Sequence, residues 1–148
     1  MVELKKIDET NYVECLNLKA SVADENFVDP VAWSLAEAWV LGKDSCPFAI
    51  YADGIMVGYV FMFALKENPQ IINFLIDDRF QNMGYGAQAA RLCVDFLVKT
   101  CDAQRISLPV DPDNIVAQKL WSKVGFSLTK DQESGYHYMR MNTMEAIA

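Results

Sequence analysis

The chain has 148 residues, 52% of them hydrophobic and 22% charged, a balance that suits one globular domain (1–148) with its own core rather than a disordered segment. Its 13 basic and 20 acidic residues leave a formal charge of −7, the wrong sign for a nucleic-acid or anionic-membrane partner. No run approaches the roughly 18 apolar residues of a membrane span, and the opening MVELKKIDET lacks a signal-peptide core, so a cytoplasmic protein is expected.

Residues 2–7 (VELKKI) suit a strand and 10–19 a short helix. Residues 31–41 (VAWSLAEAWVL) suit a mostly apolar helix whose polar positions, Ser34 and Glu37, are three apart and share one face. PFAIYADGIMVGYVFMFAL (47–65) is two strand-like runs joined by Asp53-Gly54, a strong hairpin signal. IINFLI (71–76) is apolar enough for a central strand covered on both faces.

Residues 84–101 carry a helical period. Gln88, Arg91, Asp95, Lys99 and Asp102 form a polar stripe opposite Ala90, Val94, Leu97 and Cys101. RISLPV (105–110) is a short strand. DPDNIVAQKLWSKVGF (111–126) has Asp/Asn start signals and Gly125 as a stop, so a second amphipathic helix follows. Strand-like runs near 126–129 and 136–142 complete a β-α-α-β-β-β-α-β-α-β-β order. This order describes an α/β (α+β) fold with a mixed sheet and helices on its faces. The cysteines at 15, 46, 93 and 101 form no CxxC pair, and with His137 as the single histidine no metal site is expected.

Between the central strand and the long helix lies Arg79-Phe-Gln-Asn-Met-Gly-Tyr-Gly86. Free backbone N–H groups and the positive end of the helix dipole converge at such a point, and glycines let an anion approach. No Lys-Ser/Thr follows, which argues against a magnesium-dependent P-loop, and the spacing fails the G-x-G-x-x-G pattern. A pyrophosphate held by amides without a metal remains, beside a turn that binds nothing.

Gln81-x-x-Gly84-x-Gly86, opening a long helix, resembles the Q/R-x-x-G-x-G/A coenzyme A signature of the GNAT N-acetyltransferases. Asn114, Ala117, Leu120, Gly125 and Phe126 fall in register with that family's second motif. NFVDPVAWSLAEAW and PFAIYADGIMVGYVFM are similar to the bacterial spermine/spermidine (diamine) acetyltransferases within it. The resemblance spans essentially the whole chain and implies the GNAT fold, with a mainly antiparallel mixed sheet and helices on both faces.

It further implies acetyl-CoA as cofactor. The backbone of Phe74, Leu75 and Ile76 would bind the pantetheine arm and polarise the thioester carbonyl, with Leu75 as the catalytic backbone group. The amides of Gln81, Asn82, Met83, Gly84, Tyr85, Gly86 and Ala87 would cradle the pyrophosphate. Asn114 would reach the pantetheine arm, or simply cap its helix.

Trp121 occupies the position where the family usually places a general-acid tyrosine, two turns after Asn114. An indole N–H donates a hydrogen bond but is not a usable acid. Tyr85, Tyr136, Tyr138 or water are the remaining proton sources, and no carboxylate or histidine in IINFLI offers a base.

Residues 24–41 hold Asp24, Glu25, Asp29 and Glu37 with no Lys or Arg, interleaved with Phe27, Trp33 and Trp39. By resemblance this region walls the acceptor side. Carboxylates and aromatic faces suit a polyamine by charge pairing and cation–π contact, and Glu25, Trp33 and Glu37 are the substrate-binding candidates. The other reading makes the acids solvated and the tryptophans core. The expected activity is acetyl transfer to a primary amine, spermidine or spermine, by direct attack in a ternary complex. The alternatives are a protein N-terminus, another small amine, or a non-catalytic acyl-CoA-binding module. Dimers are frequent in the family, which makes a second copy a candidate partner.

Overall fold

In a computed structural model, which describes residues 1–144, the elements follow the expected order. They are β1 (Val2–Lys6), α1 (Tyr12–Leu16), α2 (Val31–Leu41), β2 (Ser45–Ala52), β3 (Ile55–Phe63), β4 (Gln70–Ile76), α3 (Tyr85–Cys101), β5 (Arg105–Val110), α4 (Ile115–Val124), β6 (Ser127–Glu133) and β7 (Tyr136–Asn142). One sheet runs β1-β2-β3-β4-β5-β7-β6, antiparallel throughout except for the parallel β4–β5 neighbours.

Strand alternation sends successive side chains to opposite faces. Ile50, Val60, Met62 and Ile76 pack with Ala90, Cys93, Val94 and Leu97 of α3 on one face. Ala49, Tyr59, Phe61 and Leu75 pack with Cys15, Leu18, Val31 and Ala38 on the other, where α1 and α2 lie. The mixed sheet with helices on both faces is therefore as expected.

Three local differences have physical causes. Helix α1 covers only five residues, because Asn17 N–H turns back to Glu14 O and ends it. Strand β6 extends to Glu133 although SLTKDQE is polar, because as an edge strand it is almost wholly exposed. In α2 the tryptophans belong to neither core: Trp33 is 65% and Trp39 87% exposed, while small side chains, Val31, Ser34 and Ala38, meet the sheet. Ser34 goes inward because its hydroxyl finds the Tyr59 hydroxyl at 2.7 Å.

The sheet is irregular on both sides of β4. Between Phe61 and Met62 the register shifts so that Ile72 is an extra residue on β4, a bulge that bends the strand. Beyond it β4 leaves its parallel neighbour, and the β4–β5 ladder holds one pair, Gln70 with Ser107. On the β3 side, Gly58 sits so close to β4 that a Cβ there would lie 2.3 Å from Leu75 O, so the pairing requires glycine.

Candidate active site

The gap between the C-terminal halves of β4 and β5 opens to both faces of the sheet. A cavity of about 340 Å³ lies on the α2 side, and one of about 460 Å³ on the side of α3 and α4. Both sizes are typical of small-molecule sites. Val28, Phe74, Asn114, Ala117 and Trp121 line both, so the two form one cleft through the sheet.

The backbone facing the gap follows from the register. Asp77 N–H donates to Val57 O at 2.8 Å, which makes the Leu75–Tyr59 pair a hydrogen-bonded one and the pairs at Phe74 and Ile76 non-bonded. Leu75's own N–H and C=O are therefore directed at β3, and those of Phe74 and Ile76 point into the gap. This corrects the expectation for Leu75, which lines the larger cavity but directs its own backbone at β3: the backbone donors facing the gap are Phe74 N–H and Ile76 N–H. Ile76 O already accepts from Gln81 Nε2 at 2.7 Å, so the Gln81 side chain braces the turn.

The turn itself has two left-handed residues, Asn82 (φ 63°) and Gly84 (φ 83°). Gly84 caps α3 without a side-chain hydrogen bond, and the first helical bond runs from Gln88 N–H to Gly84 O at 3.4 Å. The amides of Tyr85, Gly86 and Ala87 thus precede any helical partner and face the larger cavity, as do Gln81 and Asn82. Met83 lies outside the lining and is 57% exposed. Lys119 and Lys123 of α4 line the same cavity, with Asp24 as its one acidic residue among the described residues. Free amides at a helix N-terminus and two cations are a donor set that fits the phosphates of coenzyme A.

Asn114 caps α4, its Oδ1 accepting from Ala117 N–H at 3.1 Å, and still lines both cavities. Trp121 is buried at the junction, edge-to-face with Phe74 at 5.1 Å and with Phe126 at 5.3 Å. Its indole N–H has no hydrogen-bond partner among the described residues.

The smaller cavity has the opposite charge. Asp29, Glu37, Asp111 and Glu133 line it with Phe27, Tyr136 and Tyr138, and no Lys or Arg does among the described residues. Buried Asn73 holds the loop that carries Asp29, accepting from Asp29 N–H at 3.2 Å and donating to Asp29 O at 3.1 Å. Burial, then the Asp29 charge, push the half-buried Glu37 carboxyl above its ordinary value. Tyr138 donates to Glu133 Oε2 at 3.4 Å, and burial followed by that carboxylate raises its hydroxyl pKa.

Glu25 and Trp33 line neither cavity, so of the three acceptor-side candidates only Glu37 reaches the cleft. His137 also lies outside it. Sequence reasoning missed Asp111, Glu133, Lys119 and Lys123. The first two border strands whose convergence depends on the sheet order. The lysine pair carried a signal, since four-residue spacing places both on one face of α4.

A family model described as the acetyltransferase (GNAT) family matches residues 9–126. The chain belongs to that family. Acetyl-CoA is the family's acyl donor, and the protein is an acetyl-CoA-dependent N-acetyltransferase of the GNAT type. A spermine/spermidine N(1)-acetyltransferase of Bacillus subtilis (strain 168) is 23% identical over 137 residues, covering 84% of this chain and 87% of the relative. A putative [ribosomal protein bS18]-alanine N-acetyltransferase of the same organism is 34% identical over 83 residues, 53% of this chain and 54% of the relative. Among solved structures, the spermidine N-acetyltransferase from Vibrio cholerae in complex with CoA and spermine superposes with a TM-score of 0.78 at 14% identity, covering 99% of this chain and 98% of that one.

Proposed function

We propose that the acceptor is a polyamine such as spermidine or spermine, bound in the cavity on the α2 side. The observation that carries this reading is the charge of the cleft, four carboxylates and, among the described residues, no cation on the acceptor side, in continuity with an amide-rich donor side that holds two lysines and one aspartate. The spermine/spermidine relative, similar over most of both chains, supports the same choice.

Acetyl-CoA supplies an acetyl thioester. The backbone groups of Phe74 and Ile76 hold its pantetheine arm in the gap beside β4. The amides of Gln81, Asn82, Gly84, Tyr85, Gly86 and Ala87 meet the pyrophosphate, Asn114 Nδ2 faces the arm, and Phe74 N–H is placed to stabilise charge developing on the thioester oxygen. Glu37 and Asp29 pair with the ammonium of the acceptor, and Glu37, through water, takes the proton that the amine must lose before attack. Trp121 closes the junction against bulk water and donates a hydrogen bond. It gives no proton, so the departing thiolate, whose thiol has a pKa of about 8.5, takes through water the second proton that the attacking nitrogen sheds as the tetrahedral adduct collapses to the amide.

The test is an acceptor panel with acetyl-CoA: spermidine, spermine, propylamine and a peptide beginning with alanine. The reading requires kcat/KM to rise with the number of ammonium groups. A preference for the peptide would instead place this chain's acceptor with the alanine N-acetyltransferases.

A further inference from the structure

Positive charge is scarce in this acidic chain, yet among the described residues the cleft holds two lysines at one end and none at the other. Lys119 and Lys123 are four residues apart on α4, so they project together, with Val116 and Leu120 on the same helix face. Neither is in an ion pair among the described residues, so both charges are available to a ligand. Both are exposed, at the mouth of the cavity rather than in its depth.

The start of α3 meets one compact oxyanion: three free amides and a helix dipole converge there. Coenzyme A carries phosphate at two separate places, the diphosphate and a monoester on the ribose 3′-oxygen. A single helix N-terminus cannot serve both, and a dianionic monoester at the mouth calls for point charges on long, adaptable stems. We infer that Lys119 and Lys123 hold the ribose 3′-phosphate and so make the protein select coenzyme A over its 3′-dephospho form. The inference concerns the donor end alone and is independent of which amine is acetylated.

The experiment is calorimetric binding of coenzyme A and of 3′-dephospho-coenzyme A, without acceptor. It compares the unmodified chain with Lys119→Met/Lys123→Met, which keeps the apolar stems. Two exposed charge pairs contribute modestly each, so the unmodified chain should prefer coenzyme A by about tenfold. The preference should shrink as salt is raised from about 50 to 500 mM, since exposed pairs are screened. The double variant should bind both ligands alike, with its affinity for the dephospho form unchanged, and Lys119→Arg/Lys123→Arg should restore the preference. Equal weakening of both ligands would place the lysines on the diphosphate and overturn the inference. So would an unmodified chain that does not distinguish the two ligands.

Discussion

Glu37→Gln should weaken acceptor use while making the fold more stable. A carboxylate and an ammonium about 4 Å apart attract by roughly 4 kcal/mol at an effective dielectric near 20. Dehydration offsets much of that, leaving about 1.5–3 kcal/mol for a hydrogen bond between charged groups. Asp29 shares the cation, so the lower figure applies to the lost pairing, and with the proton acceptor also gone kcat/KM for spermidine should fall by at least about tenfold at pH 7. The stability effect has the opposite sign. Because burial and then Asp29 raise the Glu37 pKa above 4.5 in the fold, its ionisation disfavours the folded state as pH rises through the raised value. The gain in Tm from glutamine should therefore be present at neutral pH and vanish below the ordinary value. The assays are thermal melts at pH 4 and 7.5 and steady-state kinetics on acetyl-CoA with spermidine. An unchanged kcat/KM together with a raised Tm would refute the placement of the acceptor beside α2.

Trp121→Tyr should raise kcat by about tenfold or more, since a positioned acid contributes about 10²–10⁴-fold elsewhere. It should cost about 1–2 kcal/mol in urea unfolding as the contacts with Phe74 and Phe126 loosen; unchanged kcat in a folded variant would point to another proton donor. Asp77 is buried and accepts from Lys19 N–H, Arg79 N–H and Arg79 Nε. Burial would raise its pKa, but these bonds outweigh burial and hold it below 3.8. Its stabilisation is accordingly present above pH 3.8 and lost as pH falls through the depressed value, and Asp77→Ala should cost about 2–4 kcal/mol at pH 7. A variant as stable as the unmodified chain by urea titration would exclude that role. Gly58→Ala should destabilise by about 1–3 kcal/mol and weaken coenzyme A binding, because the strand carrying Leu75 and Ile76 must shift; equilibrium unfolding and calorimetry read the two effects separately.

The sequence was most legible where one local rule decides the structure. Gly84 starts α3 because its left-handed φ and the apolar period after it leave no other choice. Asn114 starts α4 by accepting from Ala117 N–H. The bulge at Ile72 was not legible, since IINFLI is uniformly apolar and nothing in it marks an extra residue. That bulge decides which backbone groups face the gap, so Leu75 was expected where Phe74 stands. Helix α2 is apolar almost all round, so its period could not say which face turns inward. The answer lies 25 residues away in the Tyr59 hydroxyl that meets Ser34. Once that contact orients α2, Glu37 points to the cleft and the tryptophans to solvent.

The central claim, acetyl transfer to a polyamine held by the acidic side of the cleft, is tested most directly by release of free coenzyme A thiol from acetyl-CoA, with and without spermidine, between pH 7 and 9. The account predicts spermidine-dependent release that rises with pH as more of the amine is deprotonated. Acetyl-CoA that binds but releases no thiol on addition of spermidine at any pH in that range would contradict it.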